Sequence, residues 1–162
     1  MLQLMPLLCA MEKFKESREL VNINSADLIH SQFSLASDWD ASVALDYIAE
    51  ISEQLLPPDE VNERHFRLLV SVLDFMRSRG NVWIAVTYFS LWSVRLAGFL
   101  PDMRIVPESK EIAEEMLVTP VAQLTPRTWT KALAADLRRA LLRAIEDHVE
   151  RRILSAQILE AL

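Results

Sequence analysis

Val82–Leu100 reads Val-Trp-Ile-Ala-Val-Thr-Tyr-Phe-Ser-Leu-Trp-Ser-Val-Arg-Leu-Ala-Gly-Phe-Leu, a run whose only charge is Arg95. It is nearly long enough to span a bilayer. Arg95, however, would cost about 2.5–3.5 kcal/mol near a bilayer centre, and no flanking basic cluster orients the segment. A helix that is apolar on every side is also what the centre of a helical domain looks like, and that reading is adopted here. Asn81 in front of the run suits an N-cap, and Gly98 behind it suits a left-handed stop.

On the amino-terminal side the same helical rhythm continues. Val43, Leu45, Ile48, Ile51, Leu55 and Leu56 recur with a period near 3.6 after Asp38, until Pro57-Pro58 ends the segment. A second helix is expected from about Asn62 to Arg79, with Phe66, Leu69, Val70, Leu73 and Met76 on its apolar face and Gly80 as its left-handed end. On the carboxyl side, Glu108 to Met116 reads as a short amphipathic helix. Thr125-Pro126 reads as a cap and first-turn proline for a long helix that turns Leu133, Leu137, Leu141, Ile145 and Val149 inward. Ser155 is placed to cap a final helix.

The beginning of the chain differs. Residues 3–11 and 19–23 read as extended runs joined by the polar stretch Glu12–Arg18, and Asn24-Ser25 could cap a brief helix through Ala26, Asp27, Leu28 and Ile29. A lone hairpin is marginal in water, so these strands either pack on helices or belong to a larger sheet. The expected fold is therefore mainly α: a helical bundle-like domain preceded by a short β-hairpin.

Composition narrows the chemistry. Of 162 residues, 51% are hydrophobic, and there are only 2 glycines. Glycine-rich phosphate cradles and dinucleotide fingerprints need more glycine than that. The single Cys9 excludes an internal disulfide framework and Cys-pair zinc sites. His30, His65 and His148 show no metal-ligand spacing, and no acid/base pair or nucleophile elbow appears. Glu114-Glu115 reads as a surface pair, and Trp39, Trp83, Trp92 and Trp129 as packing residues, although an exposed one could stack a base. The reading is a non-enzyme without metal or cofactor. The amino terminus is short, proline-broken and lacks a basic leader, a poor signal peptide, so the expected location is cytoplasmic, with no membrane.

The net charge of -6 disfavours nonspecific adhesion to DNA by the chain as a whole. The charge is uneven, with nine acidic and four basic residues between Asp38 and Gly80, against seven basic and five acidic from Pro126 onward. Arg138, Arg139, Arg143, Arg151 and Arg152 lie in that last part and are the candidate DNA contacts. Such a cluster is either a solvated helix face with pairs such as Asp147–Arg151, or a patch for phosphates or an acidic peptide.

Several stretches, in order along nearly the whole chain, resemble the bacterial recombination mediator RecO. Tyr88-Phe89-Ser90-Leu91-Trp92-Ser93-Val94-Arg95-Leu96-Ala97-Gly98-Phe99-Leu100-Pro101-Asp102 is similar to that family's F-E-L-R-L-L … G-Y/F-x-P signature. Leu137-Arg138-Arg139-Ala140-Leu141-Leu142 and His148-Val149-Glu150-Arg151-Arg152-Ile153-Leu154-Ser155 resemble its L-R-R-x-L … H/Y-L-G-R-P-L-K-S ending. Leu4-Met5-Pro6-Leu7 through Ser25-Ala26-Asp27-Leu28 resembles the last strands of its barrel and their link to the helices. The departures are specific. Ser90 and Trp92 replace Glu and Arg, Thr87 and Tyr88 stand where basic residues are common, Glu150 and Arg152 replace Gly and Pro, and Leu154 replaces a basic position. Met103 to Thr125 lacks the four cysteines of the zinc module many members carry.

The resemblance implies that residues 1–24 are a remnant of an N-terminal OB-fold barrel, with the helical domain occupying 25–162. It implies DNA repair and homologous recombination in the RecF pathway. Binding and annealing of DNA, contact with the acidic tail of single-stranded DNA-binding protein, cooperation with RecR in loading RecA, and a nucleoid-associated cytoplasmic location go with it. Tyr88, Trp92 and Arg95 are the candidate partner-tail groove, expected between the central and last long helices. The alternatives are a protein-interaction module that binds an acidic tail without touching DNA, and an unrelated helical regulator.

Overall fold

The computed structural model describes residues 8–10, 14–17, 20–23, 27–31, 33–57, 61–78 and 80–162, the first four of these spans by their backbone. Strand β1 (Leu8–Ala10) pairs antiparallel with β4 (Asp27–His30), and β2 (Phe14–Ser17) pairs antiparallel with β3 (Leu20–Ile23). Extended structure is therefore present at both expected places, but with different partners. Phe14–Ser17, read as connection, is a strand facing 20–23. Asp27–Ile29, read as helix, is a strand facing β1. Lys15 opposite Asn22 and Glu16 opposite Val21 give β2 an alternating partner row that a turn reading overlooks.

Helices account for the rest. After α1 (Phe33–Ala36), α2 (Trp39–Leu55) starts where the Asp38 carboxylate accepts the Ala41 N–H at 2.9 Å. It ends where Leu56 turns extended ahead of Pro57. In α3 (Glu63–Arg77) the Asn62 side chain accepts the His65 N–H, and in α4 (Val82–Leu96) that of Asn81 accepts from Trp83 at 2.8 Å. Helix α5 (Pro107–Met116) has a proline in its first turn and no cap of its own, since Val106 precedes it. Its cap comes from α6 (Ala135–Val149), where Asp136 accepts the Val106 N–H at 2.7 Å and the Ser109 hydroxyl at 2.5 Å. A single 3-10 turn (Val121–Gln123) and the terminal α7 (Leu154–Leu159) complete the chain.

Helix α4 occupies the centre. Every residue from Ala85 to Leu91 is buried, and α2, α3 and α6 pack around it. Its hydroxyls are turned to use: Thr87 donates to the Trp83 carbonyl, Ser90 to that of Val86, and Tyr47 of α2 meets Ser90 at 2.9 Å. Leu137, Leu141 and Ile145 of α6 face the same core, as do Val72 and Met76 of α3 and Ile48 and Ile51 of α2.

Three details depart from expectation. The buried face of α3 is His65, Leu68, Val72, Leu73 and Met76, whereas Phe66 is 54% exposed. The apolar stripe is rotated because His65, bonded to Ser52, takes an inward position that hydropathy assigns to Phe66. The long last helix begins at Ala135, not after Thr125-Pro126. The Thr125 N–H instead donates to Glu115, and residues 126–134 form an irregular strap that buries Trp129. Trp39 is 69% exposed, contrary to a packing role.

The two glycines close helices for different reasons. Gly98, at φ +83, completes a Schellman stop, with its N–H on Arg95 and that of Phe99 on Val94. Gly80 is not left-handed. A Cβ there would lie 2.4 Å from the Phe75 ring and 2.6 Å from the Phe75 carbonyl, so close approach requires the glycine.

Glu150 is left-handed at φ +53, at the end of α6. A glycine at this position adopts that conformation without Cβ strain. Glu150→Gly is expected to add about 0.5–1 kcal/mol of stability, read as a higher urea midpoint at unchanged m-value. A loss of stability would contradict the reading.

A second prediction concerns Glu50, whose carboxylate accepts the N–H groups of Leu154 and Ser155 at 2.9 and 2.8 Å and the Ser155 hydroxyl at 2.5 Å, joining α2 to α7. Partial burial pushes this carboxyl up, but the Ser155 and Leu154 donors and nearby Arg151 outweigh it and hold it below its ordinary value of 4.5. A carboxylate depressed by folding stabilises above its unfolded pKa, and that contribution is lost as pH falls through the folded one. The stability gap between wild type and Glu50→Gln should therefore narrow on acidification below pH 4.5. A gap independent of pH would contradict the clamp.

Candidate functional site

Helices α3 and α4 lie side by side, and their facing edges leave an open groove of about 550 Å³. Arg64, Arg67, Leu68 and Ser71 line one wall at the helical spacing of i, i+3, i+4 and i+7, and Tyr88, Trp92, Arg95 and Leu96 line the other at i, i+4, i+7 and i+8. The structure thus brings Tyr88, Trp92 and Arg95 into one site. It sets them against α3, however, and not between the central and last long helices. The reason is the rotation of α4: the Thr87 side faces Arg138 of α6, and the Tyr88–Trp92 edge is left for α3.

The groove is cationic and apolar together. Three guanidinium groups line it with no carboxylate. Glu63 reaches Arg67 at 2.5 Å, but both side chains are about 70% exposed, and such pairs contribute little. Tyr88 is buried and lies 6.2 Å from Trp92, centroid to centroid. Burial pushes the Tyr88 hydroxyl up, so it is neutral at any physiological pH. The Trp92 indole N–H donates to the Met116 carbonyl at 2.9 Å, and the Arg95 guanidinium sits 5.4 Å over the indole ring. Neither ring stands free for a base to stack on it. An extended chain with apolar and carboxylate side chains matches the lining better.

Arg64 and Arg67 were missed in the sequence because α3 belongs to the acidic half of the chain. Their spacing with Leu68 and Ser71 was the available signal, since four residues at i, i+3, i+4 and i+7 share one face whatever the helix's total charge.

The C-terminal arginines do not form one surface. Arg138 is 6% exposed. Its guanidinium donates to the Leu133 carbonyl at 2.8 Å, to the Lys131 carbonyl and to Thr87, and lies 4.8 Å over the Trp83 ring. Burial pulls its pKa below the ordinary arginine value. This corrects the reading of Arg138 as a DNA contact: the residue ties the 126–134 strap to α4 and α6. Arg139 and Arg143 are exposed on α6, one turn apart, and make no ion pair among the described residues. Arg151 and Arg152 are exposed too, but they share a shallow depression with Arg143, Glu146, Asp147 and Glu150, three cations against three anions. Arg152 bonds Glu146 at 2.8 Å, and that carboxylate also accepts the Ile153 N–H.

Two histidine side chains, His65 and His148, are described. His65 is buried, 3.1 Å from the Ser52 hydroxyl and edge-on to Phe89, and burial lowers its pKa, keeping it neutral. His148 is exposed and stacks on Phe99 at 3.9 Å. Among the described residues no group of three His, Cys, Asp or Glu side chains is placed to hold a metal ion. No helix among them is long and apolar enough to cross a membrane.

Fold and groove define the class: a helical domain wrapped around one apolar helix, with a cationic, aromatic-walled cleft on its surface. The family profile "Recombination protein O C terminal" matches residues 36–105, which contain every residue of that cleft. The DNA repair protein RecO of Koribacter versatilis is 31% identical over 182 residues, spanning 91% of this chain and 74% of the relative. That of Caldicellulosiruptor saccharolyticus is 24% identical over 97 residues, 60% of this chain and 40% of the relative. No solved structure matches. The chain belongs to the RecO family, and its function is DNA repair and recombination of the RecO type.

The strap reading separates adjacent arginines. Arg138→Met should lose about 2–3 kcal/mol of stability, because buried carbonyls and an indole face are left without their cation. Arg139→Met should stay within about 0.5 kcal/mol of wild type. Denaturant unfolding of both variants checks this, and equal losses would contradict it.

Proposed function

We propose that the α3–α4 groove is the docking site for the acidic C-terminal tail of single-stranded DNA-binding protein, and that the chain acts as a non-enzymatic scaffold of recombination. The observation that carries this reading is the coincidence of Arg64, Arg67 and Arg95 with Leu68, Tyr88, Trp92 and Leu96 in one cleft that contains no carboxylate. Arginine recognises carboxylates through its planar fork of donors, and the apolar floor takes an apolar side chain between them. RecR and the loading of RecA belong to the same proposal, as does a cytoplasmic, nucleoid-associated location. Residues 1–24 are proposed to be the last part of an OB-fold barrel.

Direct DNA contact by the helical domain is the second reading, and Arg139 and Arg143 favour it, being exposed and unpaired among the described residues. Arg143 shares its depression with Arg151, Arg152 and the carboxylates of Glu146, Asp147 and Glu150, which screen all three, so Arg139 is the least screened of these cations. The two readings separate cleanly. A labelled tail peptide should bind with an affinity that falls about tenfold or more in Arg64→Glu or Arg67→Glu and is unchanged in Arg139→Glu/Arg143→Glu. Labelled single-stranded DNA at low salt should show the opposite dependence, with a log–log salt slope of about −0.7 per phosphate contacted. Peptide binding indifferent to the α3 arginines would overturn the docking proposal.

A further inference from the structure

Trp92 and Arg95 form a unit that extends the groove reading, and the argument rests on that reading. At position 92 α4 presents an uncharged indole to the groove, and Arg95 is the one cation that α4 contributes to its lining. The structure shows a guanidinium one helical turn on: Arg95 is exposed, three residues after Trp92, and lies 5.4 Å over its ring. An exposed arginine has many rotamers, and holding one of them on an aromatic face restricts the charge to a single place. The ring is itself held, because the indole N–H donates to the Met116 carbonyl at 2.9 Å and Tyr88 packs beside it. Met116 ends α5 and is fully buried, and the helix is fastened to α6 through Asp136.

We propose that Trp92 is a positioning residue: the Met116 carbonyl fixes the indole, and the indole face holds Arg95 where it meets a carboxylate of the bound peptide. Two consequences distinguish this from simple packing. Trp92 and Arg95 must act through one another, so their effects on binding cannot add. The salt dependence of binding must also fall when the uncharged Trp92 is removed, because the charge it holds is released.

The experiment is a double-mutant cycle on the full chain with a fluorescein-labelled peptide of the acidic tail, read by anisotropy across a salt series. Arg95→Ala should weaken binding by roughly tenfold. Trp92→Leu should weaken it by a similar factor and flatten the salt slope as Arg95→Ala does. The double variant should be no weaker than Trp92→Leu alone, and Trp92→Phe, which keeps an aromatic face but loses the bond to Met116, should fall between. Additive effects, or a Trp92→Leu slope equal to wild type, would overturn the proposal. A second measurement needs no ligand: in the free protein the Arg95 side-chain protons should be shifted upfield by the indole ring current, and Trp92→Leu should return them to ordinary values. Unshifted Arg95 protons in the wild type would overturn the positioning role whatever the peptide does. Loss of peptide binding alone, with the ring-current shift intact, would count against the groove as a tail site and leave the pairing standing.

Discussion

Helix α4 is apolar on nearly every face, and the need to bury it organises the molecule. A fifteen-residue helix spans about 22 Å. Burying it all round requires neighbours on at least three sides, and α2, α3 and α6 supply them. The hydroxyls of Thr87 and Ser90 do not breach this rule, since each returns its proton to a carbonyl one turn back, and Ser90 also meets Tyr47. The α3–α4 groove follows from the same constraint: it is the place where the wrapping of α4 is incomplete, along the Tyr88–Trp92–Leu96 edge.

The remaining elements bury apolar side chains as well, among them Ile112 and Met116 of α5 and Ala156 and Leu159 of α7, and polar side chains reaching across secure their ends. Asp136 caps α5, Glu50 caps α7, Glu115 holds Thr125 and Arg127, and Arg138 gathers the strap carbonyls. Each places a charge where free backbone groups would otherwise go unsatisfied. This explains why α5 and α7 are stable although neither has a capping side chain of its own. It also explains why an arginine conspicuous in the sequence is absent from the surface.

The sequence made the central helix legible because its composition admits few alternatives, and Asn81 marked its start by capping chemistry that is local to the chain; Asp38 and Asn62, where the helical rhythm begins, cap their helices in the same way. Long-range features were not legible. Nothing near Thr125-Pro126 reveals that Glu115 captures the Thr125 N–H, so a sound local cap was read where the chain runs on as a strap. Glu150 looked like a departure from a glycine, and the structure gives that glycine its meaning: the backbone there is left-handed. For the site, aromatic and cationic residues of α4 could be picked out, but their partners could not, because charge summed over a segment hides the face on which Arg64 and Arg67 sit.

The central claim is that this member of the RecO family recognises an acidic peptide between α3 and α4 and not on its last helices. Hydrogen–deuterium exchange of the full chain with and without the tail peptide addresses it most directly. The account predicts slowed exchange confined to the α3 turns around Arg64–Ser71 and to the Tyr88–Leu96 part of α4, with Arg139–Arg152 unchanged. Protection centred on Arg139–Arg152, with α3 unaffected, would contradict it.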